Sequence, residues 1–368
     1  MIEELDRLAG SDIYPFHMPG HKRQRTDTWL DEAYLHDITE IDGFDDLQDP
    51  KDLIAYIERG LAEYYGADRA FLSVNGSTCG NLAAITALVP HGDCFMMDRG
   101  AHRSVYNASI LGDFSVTFLE RQVIEENGLA SCISPGEVDE RLSGIIKKGD
   151  LPKAVLITSP TYEGFITDID SIADMLHDHG IPLILDSAHG AHLPAYKKAD
   201  VAVVSLHKTL PAMTQVSAIL VNGPLADPER IKRYINIFQT TSPSYILMSS
   251  AEKCLGIMKE RGIGLKRSLE ERLDRTYSLN GSLMNLYLTG PEVTGRYGIY
   301  DFDRSKINIM DRTGRKGGKE LYSIFRERYR LQPEKYTERT CLMMSGVMDT
   351  EEGFERLWQA LKETDRNL

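Results

Sequence analysis

Seven short apolar runs between residues 70 and 221 constrain the fold more than any other feature of the sequence. They alternate with helix-like segments such as 79–88, 135–147 and 168–179. Unbroken β-branched runs separated by helices are typical of a mostly parallel sheet that helices cover on both faces. We therefore expect an α/β fold with a seven-stranded sheet, its strands lying at 70–74, 93–97, 115–119, 154–158, 182–186, 201–205 and 217–221.

The rest of the chain predicts three further parts around a large domain at 51–245. Residues 1–50 are rich in Pro, Gly, His and Asp and are expected to be an irregular N-terminal segment. Residues 246–284 have the spacing of one or two long connecting helices. Residues 285–368 predict a small C-terminal α+β domain, with strands at 306–310 and 340–344 and helices at 316–328 and 351–363.

The charge balance narrows the range of partners. The 368-residue chain has 42 Lys and Arg against 55 Asp and Glu, a net charge of −13. Nucleic acids and anionic membranes are bound by basic surfaces, so we expect neither as a partner.

The sequence also predicts where the protein is located. No apolar stretch approaches the roughly 18 residues that span a bilayer. The N-terminus has no apolar run, and the five cysteines are widely spaced without a CxxC pair. Together these features predict a cytoplasmic protein with reduced thiols.

Four polar segments follow predicted strands, at the edge where open α/β sheets bind ligands. Residues 75–81 (Asn-Gly-Ser-Thr-Cys-Gly-Asn) join a strand to a helix, and their hydroxyl and free N–H groups could hold a phosphate. Taken alone, the segment is more simply an ordinary turn. Lys208 follows the strand at 201–205, where burial would lower its pKa and suit it to Schiff-base chemistry. A surface lysine is the simpler interpretation of that residue alone.

The other two segments add a carboxylate and a ring. Asp186 ends a strand predicted to be buried, which is unfavourable for a carboxylate unless a cation meets it. With His189 and His192 it could also form a metal site, or merely cap a turn beside two histidines. His102 follows the strand at 93–97 and is by default a polar loop residue. A phosphate cradle, a desolvated lysine, a strand-end carboxylate and a flat ring together match what pyridoxal phosphate requires.

The order of these motifs resembles the bacterial ornithine/lysine/arginine decarboxylases, a family of fold-type-I pyridoxal-phosphate enzymes with the aspartate aminotransferase fold. The resemblance covers nearly the whole chain. The matching segments are residues 16–22 (Phe-His-Met-Pro-Gly-His-Lys), 39–50 (Thr-Glu-Ile-Asp-Gly-Phe-Asp-Asp-Leu-Gln-Asp-Pro), 75–78 (Asn-Gly-Ser-Thr), 98–104 (Asp-Arg-Gly-Ala-His-Arg-Ser), 159–164 (Ser-Pro-Thr-Tyr-Glu-Gly), 186–189 (Asp-Ser-Ala-His), 205–212 (Ser-Leu-His-Lys-Thr-Leu-Pro-Ala) and 240–245 (Thr-Thr-Ser-Pro-Ser-Tyr).

The resemblance implies a role for each matching residue. Lys208 would be the Schiff-base lysine, Asp186 the partner of the pyridinium nitrogen, and His102 the ring that stacks on the cofactor. Thr240 would reach the phosphate of the neighbouring subunit, which implies a homodimer with shared active sites. Further contacts to the cofactor are implied for Ser77, Thr78, His189, Ser205 and His207.

The implied reaction is the decarboxylation of lysine, ornithine or arginine to an amine and CO2, with His102 or Lys208 as the proton donor. A basic substrate would need a carboxylate near its distal amine. Glu163 is one candidate, although a solvated loop residue is an equal interpretation. The other candidate carboxylates form an acidic run: Glu40, Asp42, Asp45 and Asp46.

The resemblance also implies what this chain lacks. The family's C-terminal domain carries a Pro-Pro-Gly-x-Pro segment, which this sequence does not contain. We therefore expect a short form without that domain, and we expect the family's N-terminal wing domain to be absent as well.

Other functions stay open at this point. Transamination, racemisation or elimination would use the same cofactor site. A transaminase usually binds the substrate carboxylate with an arginine, and Arg339, just before the strand at 340–344, could serve. A metal-dependent hydrolase would rest on Asp186, His189 and His192. A silent member of the family would bind the cofactor without turnover.

Overall fold

The computed structural model describes residues 1–147, 149–194 and 197–368. Its strands are β1 (Arg69–Ser73), β2 (Cys94–Asp98), β3 (Ser115–Leu119), β4 (Val155–Thr158), β5 (Phe165–Ile166), β6 (Leu183–Asp186), β7 (Val201–Ser205), β8 (Ser217–Val221), β9 (Leu286–Thr289), β10 (Asp301–Phe302), β11 (Lys306–Asp311), β12 (Lys335–Tyr336) and β13 (Thr340–Met344).

A seven-stranded sheet forms the centre of the fold, in the order β1-β8-β7-β6-β4-β2-β3. Strands β3, β2, β4, β6 and β7 run parallel, and β8 runs antiparallel between β7 and β1. Each predicted apolar run forms one of these strands to within one residue. The predicted mostly parallel α/β sheet is therefore confirmed, and β7 and β8 are buried along their whole length, as a sheet covered on both faces requires.

Helices cover the sheet and follow their sequence signals closely. Ser134 and Asp168, for example, cap the helices that follow them by accepting backbone N–H hydrogen bonds. The helices are α1 (Ile2–Ala9), α2 (Asp31–His36), α3 (Leu53–Tyr65), α4 (Gly76–Leu88), α5 (Arg103–Gly112), α6 (Pro135–Ile146), α7 (Ile169–His177), α8 (Leu206–Thr209), α9 (Pro228–Phe238), α10 (Tyr245–Ser278), α11 (Gly318–Tyr329) and α12 (Glu351–Asn367).

Helix α4 lies unusually close to the central sheet. A Cβ atom added at Gly80 would meet Val203 Cγ1 at 2.6 Å and Ile219 Cγ1 at 3.0 Å. Only glycine therefore permits this approach, and it sets the height of the α4 N-terminus above the ends of β6 and β7.

The N-terminal segment is not irregular throughout, contrary to our expectation. Helix α1 packs through Leu5, and the Glu252 carboxylate on α10 accepts from the Met1 amino group at 3.4 Å and from the Ile2 backbone N–H at 3.0 Å. These contacts join residues about 250 positions apart, and α2 is only six residues long. Short helices that tertiary contacts stabilise leave little periodicity in the sequence.

The C-terminal part contains a second sheet. Its four antiparallel strands have the order β12-β13-β11-β9, and the 34-residue helix α10 precedes them as a single helix. The predicted strands at 306–310 and 340–344 are β11 and β13. The short strands β9 and β12 were not predicted, and the domain limits at residues 50, 245 and 284 stay a prediction. Across the described ranges, no helix is both long and apolar enough to cross a bilayer.

Candidate active site

Polar groups from several strand ends meet at the carboxyl edge of the central sheet. Asp186 ends β6, Ser205 ends β7, and the N-terminus of α4 lies beside them. A cavity of about 910 Å³ opens there. It brings together most of the predicted site residues, because its lining includes Ser77, Thr78, His102, Asp186, His189, Ser205, His207 and Lys208.

Lys208 lies on α8, one turn of helix directly after β7, and its amine points into the cavity. Its Nζ atom is 3.0 Å from His189 Nε2. Burial lowers the pKa of Lys208; the Asp186 carboxylate opposes this effect and the Lys306 ammonium adds to it. An amine with a lowered pKa is more often neutral, which is the form that attacks a carbonyl carbon.

His189 is the neutral partner of this lysine. Burial, together with the charges of Lys208, Lys306 and Lys335, lowers the pKa of His189 to about 2. Its Nε2 atom can therefore accept a hydrogen bond from the Lys208 ammonium. An aromatic side chain lies beside this pair, because the Tyr162 ring is 4.3 Å from the His189 ring, centroid to centroid.

Asp186 is a buried carboxylate with only neutral hydrogen-bond partners. It is 2% exposed, and it accepts from Asn81 Nδ2 at 2.9 Å and from the Ala188 N–H at 3.2 Å. In the part of the chain that the structure describes, no cationic side chain lies within 4.0 Å of it. A buried charge is costly unless a cation meets it. The cavity face of Asp186 is therefore suited to a cationic ligand group.

A polar chain connects Asp186 to His102. Asn81 Nδ2 donates to Ser104 Oγ at 3.0 Å as well as to Asp186, and Ser104 Oγ is 2.9 Å from His102 Nδ1. His102 also caps α5 by accepting from the Ser104 N–H. The cap holds the exposed ring on the cavity wall. Asn81 ends the segment 75–81, but its contact with Asp186 was not predicted; its position one helical turn after Ser77 could have indicated it.

The start of α4 provides a set of anion-binding groups. Gly76 has a φ of +73°, and the following residues present the first N–H groups of the helix. Ser77 Oγ and Ser205 Oγ share a hydrogen bond of 2.6 Å, and the Thr78 side chain is exposed to the cavity. His207 Nδ1 donates to the Val216 carbonyl at 3.0 Å, and burial lowers the pKa of this ring.

Thr240 lies outside the lining of this cavity. Its backbone N–H donates to Asn75 Oδ1 at 3.3 Å, and its hydroxyl accepts only from the Ser242 N–H in the described part of the chain. The side chain is exposed on the surface. Its contact with a neighbouring subunit stays a prediction.

Several cavity residues were not predicted. Arg121 forms a two-pronged ion pair with Asp98, with one N–O distance of 2.8 Å, and the pair is almost fully buried. A Cβ atom at Gly100 would clash with the Arg121 guanidinium at 2.5 Å. Lys335 also lines the cavity, and its Nζ atom lies 2.6 Å from Glu163 Oε1.

Among the candidate carboxylates for a distal amine, only Glu163 lines the cavity. Asp45 instead serves the start of α3: its carboxylate accepts from the backbone N–H groups of Lys51, Asp52 and Ile54 at 2.8 to 3.1 Å. The acidic run at 40–46 is thus a turn and helix cap on the evidence of Asp45, and not part of the cavity wall.

Arg339 does not line the cavity. The prediction that its guanidinium could bind a substrate carboxylate is therefore wrong. Its side chain is exposed, and Nη1 donates to the Glu125 carbonyl at 3.3 Å. A position just before a strand did not tell which side of the sheet the guanidinium would reach.

The structure also does not gather Asp186, His189 and His192 into one cluster. His192 Nε2 instead lies 3.2 Å from Asp303 Oδ1. Within residues 1–147, 149–194 and 197–368, no three His, Cys, Asp or Glu side chains converge as metal ligands.

The chain is similar to known proteins in both sequence and structure. The family model described as Orn/Lys/Arg decarboxylase, major domain, matches residues 2–287. An arginine decarboxylase of Bacillus cereus is 27% identical over 363 residues, which cover 95% of this chain and 78% of the relative.

Solved structures show the same fold at lower identity. The Francisella novicida lysine decarboxylase has a TM-score of 0.86 at 20% identity; the match covers 99% of this chain, which spans 59% of that longer chain. A serine palmitoyltransferase from S. paucimobilis, solved with a bound PLP–myriocin aldimine, has a TM-score of 0.63 at 17% identity. The match covers 85% of this chain and 76% of the transferase chain. The architecture is therefore that of fold-type-I PLP enzymes.

Proposed function

The chain belongs to the Orn/Lys/Arg decarboxylase family, and from that premise we propose that it removes the α-carboxylate of lysine, ornithine or arginine as CO2, with pyridoxal phosphate bound at Lys208. One observation carries the proposal: Lys208, with a lowered pKa, shares a cavity with a buried Asp186 that has no cationic side chain within 4.0 Å among the residues that the structure describes. A pyridinium nitrogen would supply the missing cation.

The residues present fit this cofactor. Asp186 would hold the protonated ring nitrogen, His102 would cover one ring face, and the start of α4 with Ser77 and Ser205 would hold the phosphate. When bound, pyridoxal phosphate supplies an electron sink for the bond that breaks at the substrate α-carbon. Thr78, His189 and His207 are the further contacts in this proposal.

Each of four side chains would have its own role in the reaction. Lys208 would hold the cofactor through its amine, whose pKa burial lowers. Two donated hydrogen bonds hold the Asp186 carboxylate in place, where it would meet the cofactor. His102 or the Lys208 ammonium would deliver the proton that replaces CO2. His189 Nε2, 3.0 Å away, is placed to hold the Lys208 ammonium between steps.

A homodimer with shared sites is part of the proposal, with Thr240 reaching the phosphate in the partner subunit. Two features support it. Thr240 is exposed, and large apolar side chains on the segment 13–29 are exposed, including Phe16 at 92% and Trp29 at 87%. Exposed aromatic residues in one segment commonly mark an interface. A cytoplasmic location is also proposed, since all five cysteines are free thiols.

Product analysis tests the reaction. The protein is loaded with pyridoxal phosphate and incubated with each basic amino acid, and mass spectrometry follows amine and CO2. Cadaverine, putrescine or agmatine from wild type, and none from Lys208→Ala, is the expected result. Keto acids or inverted stereocentres without an amine would show that the reaction is a different one on the same cofactor.

A further inference from the structure

Glu163 and Asp186 are the only acidic side chains in the cavity lining over the described residues. Glu163 lies in the loop between β4 and β5, and its side chain is 12% exposed. Its backbone is fixed, because the carbonyl accepts from Asn308 Nδ2 at 2.8 Å and the next residue, Gly164, has a φ of +96°. The backbone that carries this cavity-lining carboxylate is therefore tied to β11 of the second sheet.

An alkylammonium group already occupies the place in front of this carboxylate. Lys335 Nζ lies 2.6 Å from Glu163 Oε1 and 4.1 Å from the centroid of the Tyr162 ring. A carboxylate together with an aromatic face is a recognition site for an organic cation. Lys335 lies on β12, a two-residue strand at the edge of the second sheet, and its side chain is 32% exposed. It can therefore move into water.

Two successive side-chain contacts connect this cation site to Lys208. The Tyr162 ring contacts the His189 ring, and His189 in turn contacts Lys208 Nζ. A substrate attached near Lys208 at its α-amine would extend along Tyr162 toward Glu163 with its far end.

We propose that Glu163 is the residue that selects the distal cation of the substrate, and that the Lys335 ammonium holds this place until the substrate displaces it. The inference rests on the proposed function, because it names how a basic amino acid would be recognised. Exchange of one ammonium for another leaves Glu163 paired throughout. A neutral side chain would displace Lys335 and leave a largely buried carboxylate without a partner, which is the unfavourable outcome that discriminates against it.

Steady-state kinetics on Glu163→Gln tests the inference, with Glu334→Gln as the matched control. Glu334 is the residue before Lys335, and its carboxylate accepts from the hydroxyl of Tyr162, the residue before Glu163. It therefore joins the same two segments as the Lys335–Glu163 pair, but it does not line the cavity. We expect Glu163→Gln to raise KM for the basic substrate by about tenfold or more, the effect of losing a hydrogen bond to a charged group, with little change in kcat. Glu334→Gln should change KM by less than about twofold.

Neutral substrate analogues separate recognition from a merely structural role. Wild type should prefer lysine over norleucine, or arginine over citrulline, and Glu163→Gln should lose most of that preference. Equal preferences in the two proteins, or equal KM changes in both glutamine variants, would overturn the inference.

Lys335→Met tests the displacement. It should lower KM for the basic substrate, since the internal competitor is gone. A rise in KM for basic and neutral substrates alike would show that Lys335 binds the substrate carboxylate, and would overturn the displacement. If wild type yields no amine from any basic amino acid, the proposed function fails and this inference with it; an active wild type with an unchanged Glu163→Gln contradicts the inference alone.

Discussion

Gly80 offers a sharp test of how the cavity is built. A methyl group there would meet Val203 at 2.6 Å and Ile219 at 3.0 Å, and both partners are buried strand residues that cannot move aside freely. Gly80→Ala should therefore push α4 away from the sheet. Overpacking of this kind costs about 1–3 kcal/mol, and alanine recovers about 0.5–1 kcal/mol of it by its better helix propensity. The expected net loss is therefore between about 0 and 2.5 kcal/mol, with a central value of about 1 kcal/mol.

The same displacement should weaken ligand binding, because Ser77, Thr78 and Asn81 all move with α4. Thermal unfolding measures the stability, and titration with inorganic phosphate and with pyridoxal phosphate measures the affinity. Gly264→Ala is the matched control: Gly264 is also inside a helix, α10, but has no atom within 4 Å of an added Cβ. It should gain about 0.5–1 kcal/mol. If Gly80→Ala is stabilised as much as Gly264→Ala and binds phosphate normally, the close approach of α4 is not a constraint.

Three further predictions concern single side chains. Asn81→Ala should weaken retention of pyridoxal phosphate by about tenfold, because Asp186 loses its only side-chain donor among the described residues. The variant should still fold, and an unchanged rate of cofactor loss on dialysis would refute the prediction. The rate at which the cofactor-free protein takes up pyridoxal phosphate should rise with pH at a midpoint below the ordinary lysine value of 10.5, because burial lowers the pKa of Lys208 and the neutral amine is the reactive form; a midpoint at 10.5 would contradict it. Burial raises the pKa of Glu58 from 4.5 to about 7, so the native state keeps a proton that the unfolded chain releases, and the stability falls as pH rises from about 4.5 to 7. Glu58→Gln should remove this fall and be more stable than wild type at pH 8, on the order of 2 kcal/mol in denaturant unfolding; equal pH dependence in both proteins would exclude the effect.

The sequence predicted the central sheet well because its strands are unbroken apolar runs, and such runs form strands wherever helices cover both faces. Asp186 and Lys208 could be placed at the same edge for a related reason: each follows a parallel strand, and the carboxyl ends of parallel strands share one side of the sheet. Topology alone brought these two residues into one cavity.

The contacts that depend on distant parts of the chain could not be predicted in this way. Glu163 and Lys335 are 172 positions apart, and their pairing follows from how the edge strand β12 approaches a loop of the central sheet. Arg339 lies only four residues beyond Lys335, yet its side chain reaches the Glu125 carbonyl. Nothing local to either residue distinguishes the one that meets the cavity from the one that does not.

The central claim is that Lys208 holds pyridoxal phosphate in this cavity, and one measurement tests it most directly. The protein is loaded with the cofactor, treated with borohydride to fix the linkage, digested, and analysed by peptide mass spectrometry. The account predicts that the pyridoxyl mass lies on the peptide with Lys208 and is lost in Lys208→Ala, while Lys335→Met keeps it. A label on another lysine, or no stoichiometric label, would contradict the account.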